Sequence, residues 1–166
     1  KDEKQELIKL ISKFQMSTES KTFCYNGNPQ LIVPADRGEF PVLQQWLVSI
    51  AAELDIQERI KKQLMISCDE IFTNIASYAY PDGNGSVEVL IEFISETQNL
   101  RIIFSDSGTA FNPLEISEPD TSSALSERKV GGLGMFMVKK MMDSVEYCQQ
   151  DGQNILTITK CLEKQS

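Results

Sequence analysis

A carboxylate and an amide, Glu70 and Asn74, stand four residues apart where the apolar spacing is helical. Both therefore project from one side of the helix, about 40° apart around its axis. An Asn carbonyl is a hard oxygen ligand suited to Mg2+, with phosphate oxygens and waters filling the octahedron. A neighbouring carboxylate could then accept the proton of an attacking hydroxyl or water. The face they share borders the apolar stripe, so the pair is either a solvated edge or the wall of a pocket. Asn is an indifferent helix former, which makes its mid-helix place a mild hint of use.

Two later segments could complete such a site. Asp106 follows the apolar run Leu100, Ile102, Ile103 and Phe104, at the end of a buried strand. A carboxylate there accepts hydrogen bonds only, which suits an exocyclic amine such as that of adenine. Gly108 lets the backbone approach a flat ring or turn sharply; an ordinary Asp-Ser-Gly turn would read the same way. Gly131-Gly132-Leu133-Gly134 opens a helical pattern, where bare N–H groups and the helix dipole favour an anion. A flexible hinge is the other reading of that cluster. Arg128 and Lys129, just before it, could reach a terminal phosphate or stay solvated. The spacing is not that of a P-loop, nor of a dinucleotide fingerprint.

The elements that must position these residues follow from periodicity. At 166 residues, 41% apolar and 24% charged, the chain reads as one domain able to bury a core. Residues 1–16 carry Leu7, Leu10, Ile11 and Phe14 at helical spacing, an amphipathic extension ending near residue 20. An extended segment over 22–33 is broken by Asn26-Gly27-Asn28-Pro29. Helices are expected over Phe40–Leu54 and roughly Gln57–Tyr78, with Asp55 capping the second. Strands follow at 86–95 and 100–105, then a Pro-, Ser- and acid-rich connection over 109–130. A helix over 134–142 and a hairpin around Asp151-Gly152 close the chain. Mixed runs of strands and helices with hairpins indicate an α+β fold, a two-layer sandwich.

Several functions are excluded. A net charge of −8 argues against nucleic acid. There is no histidine, so Ser–His and Cys–His hydrolase sites are ruled out, zinc sites of the His/Cys kind are nearly excluded, and a kinase that phosphorylates its own histidine cannot be complete in this chain. The four cysteines lack metal-ligand spacing and read as reduced, mostly buried and cytoplasmic. No apolar run approaches the roughly 20 residues of a membrane span. The start at Lys1 rather than Met fits a trimmed chain or a piece of a longer polypeptide.

Taken in order, the three segments resemble the N, G1 and G2 boxes of the Bergerat-type ATPases, the GHKL or histidine kinase-like superfamily. Asp69-Glu70, Asn74, Tyr78-Ala79-Tyr80-Pro81, Asp106 to Pro113, and Gly131 to Met135 with Met142-Asp143 look most like its anti-sigma factor serine kinases, of the SpoIIAB/RsbW type. The resemblance covers about residues 30–162. It implies a mixed, mostly antiparallel sheet covered by three helices, over an ATPase domain at 21–166, with residues 109–130 as an ATP lid. It implies Asn74 as Mg2+ ligand, Glu70 as catalytic base and Asp106, with a water near Gly108, as reader of adenine. Gly132 and Gly134 would bracket the phosphates. Ala110 stands where many relatives have the second glycine of D-x-G-x-G, which would alter lid flexibility without removing adenine recognition. By the same resemblance, the chain would be a cytoplasmic Mg-ATP-dependent protein serine kinase acting on a STAS-type anti-anti-sigma protein. It would also sequester a sigma factor, usually as a homodimer. An ATP-sensing binding module without turnover, or an output domain of a larger regulator, are the other readings of the same residues.

Overall fold

The structure, a computed structural model, describes residues 21–115 and 133–163. Among the described residues six strands form one sheet in the order β1-β2-β3-β4-β6-β5: β1 Lys21–Tyr25, β2 Asn28–Pro34, β3 Ser86–Ile94, β4 Asn99–Asp106, β5 Ser144–Gln150 and β6 Gln153–Cys161. Every pairing is antiparallel, where the resemblance allowed a mixed sheet. Three helices accompany it among the described residues: α1 Phe40–Glu53, α2 Glu58–Tyr78 and α3 Leu133–Met141. The expected amphipathic helix at 1–16 and most of the lid lie outside the described residues.

Turn chemistry fixes the register. Asn26-Gly27 and Asp151-Gly152 each place two successive residues at positive φ (51° and 80°; 52° and 78°). That is the type I′ turn, whose twist matches a tight hairpin. Asp55 does not cap α2. It sits at φ 48°, with its N–H on the Ala52 carbonyl and the Ile56 N–H on that of Ala51. This is a left-handed closure of α1, in a position glycine usually takes. The N-cap of α2 is Gln57, which makes no side-chain capping bond.

Period-two alternation puts Leu31 and Val33, Val87, Val89 and Ile91, and Leu100, Ile102 and Phe104 on one face. Against that layer pack Leu43, Trp46, Leu47 and Ile50 of α1, Leu64, Cys68, Ile71 and Phe72 of α2, and Met135 and Val138 of α3. Burial pushes the Cys68 thiol far above its ordinary range, so it behaves as a small apolar group. The expectation of mostly buried cysteines holds for Cys68 alone. Cys24 and Cys148 are exposed on β1 and β5, the two edge strands, and Cys161 is half-buried.

Phe72 is fully buried and its ring lies 6.1 Å from that of Phe40, tying α2 to the start of α1. Phe72→Ala should cost about 3–5 kcal/mol in urea unfolding. Val48→Ala, on the outer side of α1, should cost less than about 0.5 kcal/mol.

Candidate active site

Helix α2 carries the first part of the site because its apolar stripe stops short of one flank. Ile71 and Ile75 turn inward, while Glu70 and Asn74 lie half-buried at the border. The Asn74 amide nitrogen donates to Glu70 Oε1 at 3.1 Å. That bond orients the amide and turns its carbonyl oxygen away from Glu70. One residue over, the Thr73 hydroxyl donates to Asp69 at 3.1 Å. Ser77 gives its hydroxyl proton to the Thr73 carbonyl at 2.6 Å and accepts from Arg37 Nε and Nη2 at 2.8 and 2.6 Å. Arg37, in the turn before α1, is thereby held against α2.

The row Leu100, Ile102, Phe104 on β4 ends in Asp106, which points to the same covered face and is 6% exposed. A buried carboxylate is costly unless its oxygens are paired. Here Oδ1 accepts from the Gly108 N–H at 2.9 Å and from the Asn154 side-chain amide at 2.9 Å. Among the described residues both bonds fall on Oδ1, so Oδ2 is the oxygen left for a ligand. Asn154 lies directly opposite Asp106 in the β4–β6 ladder. Its amide nitrogen also approaches the carbonyls of Gly108 and Thr109 at 3.2 and 3.4 Å. Its carbonyl oxygen accepts from the Tyr147 hydroxyl at 3.0 Å and from Gln149 at 3.1 Å. Burial, with the Asp106 charge adding to it, raises the Tyr147 phenol, so it keeps its proton and remains a donor.

Two glycines allow the parts to meet. A β-carbon at Gly134, in the first turn of α3, would collide with the Glu70 carboxyl group. One at Gly108 would collide with the Ala79 backbone at the end of α2, to which the Thr109 N–H donates at 2.7 Å. Tyr80 adds a brace. Its hydroxyl donates to the Ser86 carbonyl and accepts from the Ser107 N–H, both at 2.9 Å.

Between these parts lies a small cleft, open at its mouth. Asn74, Asp106, Thr109, Tyr147 and Asn154 supply its polar groups. Ile71, Ile75, Met135 and Leu156 form apolar walls, with Tyr78 and Phe111 at the rim, ring centroids 6.1 Å apart. An apolar slot with a few convergent polar groups suits a flat heterocycle. No group of three or more acidic or cysteine side chains with metal-ligand geometry occurs among the described residues. An amide oxygen beside one carboxylate nevertheless fits Mg2+, which keeps waters and takes phosphate oxygens in place of a full protein cage.

Of the residues singled out in the sequence, Asn74 and Asp106 line the cleft, Glu70 and Gly108 are hydrogen-bonded to them, and Gly134 lies against Glu70. Ala110 and Leu133 are exposed and do not line the cleft. Arg128, Lys129, Gly131 and Gly132 lie outside the described residues. Asn154, Tyr147, Tyr78 and Phe111 were missed as site residues. Asn154 had a signal: it falls in phase with Leu156 and Ile158 on the core face of β6, an odd place for an amide.

The family model for the histidine kinase-like ATPase domain matches residues 33–160. The chain is 26% identical over 114 residues to serine/threonine-protein kinase BtrW of Bordetella bronchiseptica, covering 69% of this chain and 80% of that one. It is 27% identical over 123 residues to serine-protein kinase RsbW of Listeria monocytogenes, covering 72% and 78%. Among solved structures it resembles the RsbU and RsbW domains of a Mycobacterium tuberculosis protein, with a TM-score of 0.57 at 15% identity. That match covers 81% of this chain and 32% of the other, a likeness of fold.

Asn154→Leu removes a donor from a buried carboxylate. It should cost about 2 kcal/mol in urea unfolding and weaken Mg-ATP binding about tenfold by calorimetry. Unchanged affinity in a folded variant would contradict the assignment. A β-carbon at Gly134 meets only the end of the Glu70 side chain. Gly134→Ala should therefore displace that carboxylate and weaken phosphotransfer while changing stability in urea unfolding by less than about 1 kcal/mol.

Proposed function

The chain belongs to the histidine kinase-like ATPase domain family, and from that premise we propose that it is a Mg-ATP-dependent protein serine kinase. In this reading it acts as an anti-sigma factor, a switch in a bacterial partner-exchange circuit. Its acceptor is a serine of a STAS-type anti-anti-sigma protein, and its second partner is a sigma factor. The ATPase domain takes in residues 21–166, residues 1–20 are an extension, and the protein works in the cytoplasm. The kinase names of the curated relatives support the activity. The observation that carries it is the closure of Gly134 onto Glu70, which sets a carboxylate against the helix start where phosphate would lie.

Adenine enters the slot between Ile71, Ile75 and Leu156, and its amine donates to Asp106 Oδ2. The Asn74 carbonyl oxygen, with phosphate oxygens, would hold Mg2+, which when bound neutralises charge on the phosphoryl groups. The start of α3 offers N–H groups to the phosphates, and the resemblance gives Gly132 and Gly134 that role. Glu70 accepts the proton of the acceptor serine. The serine oxygen forms its bond to the γ-phosphorus as the bond to the β,γ-bridging oxygen breaks, and ADP leaves. Positioning and electrostatics supply most of the catalysis in such transfers, so few side chains are needed. The Asn74–Glu70 hydrogen bond keeps base and metal ligand in register.

Glu70→Gln keeps the side-chain shape and removes the base. Transfer of labelled phosphate from ATP to a STAS protein should fall about 100-fold or more, with ATP affinity within about threefold of the unaltered chain. Equal loss of binding and transfer in folded protein would refute the assigned role. Binding of ATP by the unaltered chain without any transfer would instead indicate a nucleotide sensor.

A further inference from the structure

Helices α2 and α3 run antiparallel along one border of the molecule. Gly134 backs onto Glu70 at one end, and Asp143, just past α3, shares a groove with Gln57, Ile60 and Gln63 at the other. Counted from the Glu70–Gly134 contact, one turn back along α2 reaches Ile66 and about one turn into α3 reaches Met137. Both are large apolar side chains facing solvent, 55% and 45% exposed, and Leu133, next to Gly134, is 57% exposed. The inward sides of the two helices are already filled by Leu64, Cys68 and Ile71 and by Met135 and Val138, so the core does not account for them. Apolar side chains gathered in this way mark an interaction surface. Lys62 precedes Ile66 by one turn and Lys140 follows Met137 by about one, both exposed. In a chain of net charge −8 they give the strip one cationic end, the end away from Glu70.

We propose that the strip formed by Ile66, Leu133 and Met137 seats the serine-bearing segment of the acceptor protein. The inference rests on the kinase reading, because a hydroxyl that reaches Glu70 must be carried by a segment lying over that residue's neighbours. The strip selects a serine with an apolar side chain close by and acidic residues beyond it, opposite Lys62 and Lys140. A second copy of this chain is the competing occupant.

The test uses the full chain, purified STAS proteins of the organism that encodes it, and γ-labelled ATP. Ile66→Asp and Met137→Asp should each raise the KM for the acceptor about tenfold or more, as loss of an interface anchor does, with kcat and ATP affinity unchanged. Val48→Asp, an exposed change on α1, should leave all three constants alone. No transfer by the unaltered chain would overturn the kinase reading and this inference together. Transfer with an unaltered acceptor KM in both variants would overturn the inference alone. Loss of self-association in sedimentation, with acceptor KM unchanged, would overturn it in favour of a second copy.

Discussion

Helix α2 can serve as one wall of a ligand cleft only because two other backbones come closer to it than a β-carbon permits. Gly134 lets the first turn of α3 rest on the Glu70 carboxylate, and Gly108 lets the loop after β4 rest on Ala79. The start of α3 is thereby held against the Glu70 side chain, and the loop after β4 against the backbone of Ala79. Side-chain packing then fills what remains, with Met135 reaching into the core behind Gly134. A side chain at Gly108 would push against the Ala79 backbone, whereas one at Gly134 would displace the Glu70 carboxylate.

The second constraint is electrostatic. Asp106 occupies a position that the alternation of β4 would otherwise give to a hydrophobic residue. A carboxylate survives there because Asn154, across the ladder, and the Gly108 N–H both serve Oδ1. Asn154 in turn is fixed by Tyr147 and Gln149 on the neighbouring strand. Four groups thus hold a single buried charge in place, and the same amide steadies the carbonyls of the loop at the cleft mouth. Satisfied networks of this kind rigidify a site, whereas half-satisfied ones cost stability. Preorganisation of this sort is what a ring-reading acceptor requires.

Much of this was legible beforehand because it is local. Alternation located β3 and β4 within a residue or two, Asp151-Gly152 located the closing hairpin, Asn26-Gly27 marked the break between β1 and β2, and helical spacing located α1 and α2. Glu70, Asn74 and Asp106 could be picked out because polar residues at the border of an apolar stripe, or at the end of an apolar strand, stand out against their surroundings. Asn154 and Tyr147 were not, since their roles arise from β6 entering the sheet between β4 and β5. That insertion is a property of topology, and it brings residues 48 positions apart into contact. Asp55 was misread for a related reason. Its preference for a cap and its tolerance of a left-handed backbone are both local, and only the closing bonds to Ala51 and Ala52 decide between them.

The central claim is that α2, the end of β4 and the start of α3 grip one nucleotide together. A crystal structure of the chain with Mg2+ and a non-hydrolysable ATP analogue tests it most directly. The account predicts the adenine amine on Asp106, the metal on the Asn74 carbonyl oxygen and the terminal phosphate between Glu70 and the start of α3. An analogue bound anywhere else, or an adenine that leaves Asp106 paired only with Asn154 and Gly108, would contradict it.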